Sequence, residues 1–137
     1  MSMVLDTSAT LAWIYPGEQT EAIRGVFDRV TTTGAWVPSL WRLEVANSLE
    51  MGVRRGRIDP VFRDATLADF ELLPIQADTE TEKHAWRGTL RLAERHRLTV
   101  YDAAYLELAM RRGLPLATLD RELRLAAHTE RVALLGG

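Results

Sequence analysis

The chain has no cysteine and only one lysine, Lys83. The first absence removes disulfides, thiolate nucleophiles, zinc ribbons and iron–sulfur clusters, and it is compatible with a reducing cytoplasm. Any bound metal must therefore sit on oxygen or imidazole. The second means that nearly all positive charge is guanidinium, which can meet a phosphate with two hydrogen bonds at once. No apolar run approaches the roughly 20 residues that cross a bilayer, and the N-terminus lacks a basic segment followed by an apolar signal core. Internal repeats, low-complexity tracts and Gly/Ser linkers are also missing. The expectation is a soluble, cytoplasmic protein forming one domain over residues 1–137, without membrane contact. There is no basic excess either: the formal net charge is −2, which argues mildly against a nonspecific grip on nucleic acid.

What is there is a 47% hydrophobic chain, enough for a substantial core, in which short apolar runs alternate with helical periodicity. Strands are expected at 3–5, 35–37, 72–75, 116–118 and 132–135. Helices are expected from Asp6-Thr7-Ser8 to Tyr15, from Glu18 to Val30 and from Leu40 to Arg55. A fourth runs from the Asp59-Pro60 cap to Phe70, a long one from an Asp78 cap to His96, and one from Tyr101 to Gly113 before a short helix opened by Asp120. Strands separated by helices imply an α/β fold, three-layered α/β/α, with a central, mostly parallel sheet.

In such a sheet the ligand crevice lies beyond the carboxyl ends of the strands. Asp6 and Asp120 follow the first and fourth strands, Asp102 opens a helix, and Glu44 lies on the helix after the second strand. Glu44 has Leu40, Trp41, Asn47 and Ser48 at its helical neighbour positions, and Asp102 has Leu98, Thr99, Tyr105 and Leu106. None can form an ion pair, so each carboxylate needs another compensation for lost hydration. Capping alone accounts for Asp6, Asp102 or Asp120 taken singly, but not for Glu44 inside its helix nor for the constellation. Four gathered carboxylates would repel one another unless a divalent cation neutralised them, and hard oxygen ligands select Mg²⁺ or Mn²⁺. That chemistry suits phosphodiester hydrolysis by in-line displacement. Thr118, two residues before Asp120, and Ser8, two after Asp6, can hydrogen-bond a carboxylate or serve as caps. Asn47, one turn from Glu44, is a supporting amide or an ordinary surface residue.

The segments Val4-Leu5-Asp6-Thr7-Ser8, Pro38 through Asn47, Tyr101 through Leu106 and Leu116 through Asp120 resemble, in order, the motifs of PIN-domain ribonucleases, and among them the VapC toxins. The resemblance spans nearly the whole chain. It implies a PIN-like fold with Asp6, Glu44, Asp102 and Asp120 as catalytic metal ligands, supported by Thr118 and Asn47. It further implies a Mg²⁺-dependent endoribonuclease leaving 5′-phosphate and 3′-hydroxyl ends, acting as the toxin of a toxin–antitoxin module. Dimerisation and inhibition by a VapB-type antitoxin belong to the same implication.

Two other classes compete. A non-catalytic doubly wound binding or signalling module would use the acids only as caps. Another metal-dependent phosphate hydrolase could use Asp6 as a nucleophile, although the second nearby acid expected there is missing. Arg87, Arg91 and Arg95 recur every four residues and read as a solvated stripe or an RNA-backbone track, and Arg54, Arg55 and Arg57 as helix-end charges or phosphate contacts. His84, His96 and His128 fall outside the crevice segments, and Trp13, Trp36, Trp41 and Trp86 are expected in the core or at a dimer surface rather than stacking on bases.

Overall fold

In the computed structural model, which describes residues 2–137, five short strands form one all-parallel sheet. They are β1 (Val4–Leu5), β2 (Ala35–Val37), β3 (Ile75–Ala77), β4 (Leu116–Ala117) and β5 (Leu134–Leu135), in the order β3-β2-β1-β4-β5. Met3, Val4, Leu5, Leu116 and Ala117 are wholly inaccessible, because helices cover both faces of a parallel sheet.

The chain steps outward from β1 through β2 to β3, then returns to lay β4 on the other side of β1. That reversal falls between β1 and β4, and in an open parallel sheet the end past the strands' carboxyl termini at such a point is where ligands bind. Val4 pairs with Leu116 and Leu5 with Ala117, and the Asp6 amide extends the ladder by donating to the Ala117 carbonyl at 3.1 Å. The Asp6 side chain therefore emerges beside Thr118, where the strand order reverses.

Helices α1 (Thr7–Ala12), α2 (Glu21–Thr33), α3 (Trp41–Arg54) and α4 (Pro60–Glu71) serve the first half of the sheet, and α5 (Thr81–His84), α6 (Leu90–His96), α7 (Val100–Arg112) and α8 (Arg121–Thr129) follow β3 and β4. The most enclosed is α7, buried at every residue from Ala103 to Ala109 and packed on β1 and β4. Thr99 caps its start and Gly113, at φ 65°, ends it in the left-handed region.

Several elements differ from the sequence expectation. Helix α1 ends at Ala12, and Pro16–Glu18 form a 3₁₀ turn. Helix α2 begins three residues later than expected, since Thr20 caps it by accepting from the Ile23 amide at 3.1 Å. β3 starts at Ile75 because Pro74 has no N–H and lends only its carbonyl, which accepts from Ala35 at 3.1 Å. Gly34 makes that approach possible: its φ is 77° and a Cβ there would lie 2.8 Å from the Pro74 oxygen. The long helix expected from Asp78 to His96 is broken. A π segment, Ala85–Thr89, with Arg87 at φ −121° and ψ −106°, separates α5 from α6, and Asp78 caps neither. The Arg87, Arg91, Arg95 stripe consequently does not run along one helix. Among the described residues no helix is long and apolar enough to cross a membrane.

Candidate active site

Asp6 is the N-cap of α1 and 4% exposed. Its carboxylate accepts from the Ala9 amide at 2.9 Å and from the Ser8 hydroxyl at 2.7 Å, and Thr118, fully buried, donates to its other oxygen. Burial nevertheless outweighs these donors and raises the Asp6 pKa to about 6, with a small further push from Asp102. The Thr118 hydroxyl also accepts from the Asp120 amide at 3.0 Å, so one side chain fixes the positions of two acids. Ser8 and Thr118 thus share Asp6 as their common partner.

Glu44 sits in the first turn of α3, half-buried, on a helix whose other face buries Trp41, Val45 and Leu49. The Trp41 indole donates to the Thr10 hydroxyl at 3.1 Å, and Thr10 donates to the Asp6 carbonyl at 2.7 Å, which fixes α3 against α1. Glu44 Oε1 accepts from Thr7 at 3.0 Å and from the phenol of Tyr105, a residue 1% exposed in the middle of α7. Burial first, then the charge and hydrogen bond of Glu44, push the Tyr105 phenol well above its ordinary pKa, so it remains a donor.

Asp102 is half-buried in the first turn of α7, and Asp120 is half-buried as the cap of α8, accepting from Leu123 at 2.9 Å. Thr99, not Asp102, caps α7. The Asp102 pKa is raised, chiefly by burial and then by the charges of Asp120, Glu44 and Glu122, against the opposing hydrogen bond of Thr99. Asp102 therefore lies in the field of Glu44 and Asp120, and Asp6 in the field of Asp102. Asn47 is exposed, and its side chain makes no hydrogen bond with a described residue.

Three participants were not singled out: Thr7, Tyr105 and Glu122. Thr7 adjoins Asp6, and Tyr105 lies one helical turn beyond Asp102, the spacing that puts a polar tip on the acid's face of an otherwise apolar helix. Glu122 is masked by its ordinary place in the first turn of α8, where acids favour the helix dipole.

Other side chains have partners elsewhere. His96 meets Glu130 at 2.7 Å, Arg95 reaches the same carboxylate at 2.8 Å, and His84 approaches Glu80 and Glu107. Arg54 pairs with Glu50, and Arg57 stacks on Tyr15 at 4.0 Å. Trp41 is buried and Trp13 and Trp36 are half-buried, but Trp86 is 91% exposed on the π segment, which rules out the core and leaves the dimer-surface expectation for it.

Among the described residues, no ion pair reaches Asp6, Glu44, Asp102, Asp120 or Glu122, and no three acidic or histidine side chains are grouped closely enough to hold a metal ion. Uncompensated carboxylates repel and stand apart until a cation offsets their charge. The donor set, all carboxylate oxygen with hydroxyl support and no cysteine, fits a hard divalent ion.

A PIN domain model matches residues 3–128. Ribonuclease VapC3 of Pyrobaculum aerophilum is 34% identical over 127 residues, 90% of this chain and 92% of that protein. Among solved structures, PAE2754 of Pyrobaculum aerophilum aligns with a TM-score of 0.71 and 25% identity over 98% of this chain and 83% of its own. FitAcB of Neisseria gonorrhoeae, at 17% identity and a TM-score of 0.56 over 98% and 96%, shares the fold. The motif order, the family model over residues 3–128 and the likeness to Ribonuclease VapC3 lead to one conclusion: the chain belongs to the PIN-domain family, within its VapC group.

Proposed function

We propose that this chain is a Mg²⁺-dependent endoribonuclease, the toxin of a type II toxin–antitoxin module, hydrolysing RNA at the crevice between β1 and β4. The observation that carries the reading is that Asp102 stands in the field of Glu44 and Asp120, and buried Asp6 in that of Asp102, with no cationic side chain paired to any of the four. Asp6, Glu44, Asp102 and Asp120 would hold Mg²⁺, with Mn²⁺ as a substitute. When bound, the ion acidifies a water and offsets charge on the scissile phosphate. Ser8 and Thr118 keep Asp6 oriented, and burial makes its anion costly, a cost that a bound cation would offset. Asn47, exposed one turn along α3, would be a supporting residue that orients Glu44 or touches phosphate. The same reading takes a VapB-type antitoxin as partner, a homodimer as the assembly and the cytoplasm as the place of action.

The test is RNA cleavage in Mg²⁺ by the purified wild-type chain and by Asp6→Asn and Asp102→Asn. Each amide keeps the shape and loses the ligand charge, so both variants are expected to stay folded and lose cleavage. Unchanged cleavage by both variants would refute the site.

A further inference from the structure

The three oxygens of Glu44 Oε1, Thr7 Oγ1 and Tyr105 OH form a closed triangle, with Thr7 3.0 Å from Glu44 and 3.1 Å from Tyr105, and the phenol donating to the carboxylate. The two hydroxyls bring two protons, and both are spent on Oε1. That oxygen has its lone pairs filled. Glu44 Oε2 accepts no hydrogen bond among the described residues. A buried phenol often needs no more than some acceptor, and Thr7 alone would satisfy it. Here it bypasses that role to donate, jointly with Thr7, to one oxygen of a charged side chain on a different helix.

We infer that Tyr105, acting with Thr7, is a positioning residue that occupies Glu44 Oε1 and leaves Oε2 as the single oxygen Glu44 offers to the divalent ion. The inference rests on the proposed metal site. Tyr105 is suited to the task because α7 is enclosed along its length, so the phenol is carried on a rigid element and reaches α3 without strain on a loop. Outer groups of this kind orient a ligand and typically change metal affinity by about 10–100-fold when removed.

Mn²⁺ titrated calorimetrically into the metal-free full chain tests this without any turnover. Tyr105→Phe is expected to bind Mn²⁺ about 10-fold more weakly, and Thr7→Val to act in the same direction. In a chain already carrying Glu44→Gln, adding Tyr105→Phe should change nothing, since the phenol works only through Glu44. Thermal melts accompany each variant, and Thr7→Val keeps the test open should Tyr105→Phe fail to fold. Unchanged or tighter Mn²⁺ binding by folded Tyr105→Phe, or an equal loss in the Glu44→Gln background, overturns the inference while leaving the metal site standing. A wild-type chain that binds no Mn²⁺ overturns the metal site itself, and the inference with it.

Discussion

Asp6 and Asp78 are both buried aspartates, 4% and 1% exposed, and both stand just past the carboxyl end of a strand. Asp78 is met by Arg111 at 2.7 and 3.1 Å, by Thr81 at 3.1 Å and by Arg112 at 3.4 Å. Burial pushes its pKa up, but the Arg111 and Thr81 hydrogen bonds and the guanidinium charges outweigh this and hold it below its ordinary value. Arg111 also grips Glu107 at 2.7 Å, one helical turn back on α7. Asp6 has hydroxyls, an amide and further acids around it, and its pKa rises. Desolvation is common to both, so the counter-charge decides: one aspartate ties the loop after β3 to α7, while the other is left unneutralised in the crevice.

Substituting each partner set should separate the two. Asp6→Asn is expected to reduce RNA cleavage at least about 100-fold, more than loss of a group that merely orients a ligand, with the melting temperature unchanged or raised. Arg111→Met leaves Asp78 and Glu107 buried without their shared cation and should cost about 3–5 kcal/mol in denaturant unfolding. If Arg111→Met instead leaves stability intact, Asp78 is not held by its counter-charge and the contrast fails.

The two carboxyls also predict opposite responses to pH in the metal-free protein. The folded pKa of Asp6 lies above its unfolded one, so its stabilising contribution is complete below about pH 4 and is lost as pH rises through about 6. The contribution of Asp78 is present above its ordinary pKa and is lost as pH falls through its lowered folded value. Unfolding of wild type and Asp6→Asn compared from pH 4 to 8 should show wild type losing up to about 3 kcal/mol relative to the variant. Parallel profiles would show that Asp6 is not destabilised as an anion. At the small end, Thr81→Val should cost about 1 kcal/mol and leave Mn²⁺ affinity unchanged, because it removes one donor from the neutralised aspartate.

The same contrast explains what could be read from residues alone. α3 and α4, with the Asp59 cap and the Gly56 stop, were legible because local chemistry sets their ends. Asp6 and Asp120 stood out because they follow strands and Asp102 because it lies in a helix's first turn, whereas Glu44 stood out because no basic residue occupies its helical neighbour positions. Asp78 was misread as a cap: its identity permits capping, and nothing local reveals that Arg111, 33 residues away, would claim it. The π segment was hidden for a related reason, because Trp86-Arg87-Gly88-Thr89 departs from the helical path only where it lies against α7. Tyr105 looked like core, which it is, and its phenol gains a role only through a glutamate 61 residues away.

The most direct test of the central claim is anomalous diffraction from crystals of the full chain soaked in Mn²⁺. The account predicts an anomalous peak among the carboxylates of Asp6, Glu44, Asp102 and Asp120, with those side chains drawn toward it. A peak elsewhere, or ordered carboxylates with no ion between them at saturating Mn²⁺, would contradict it.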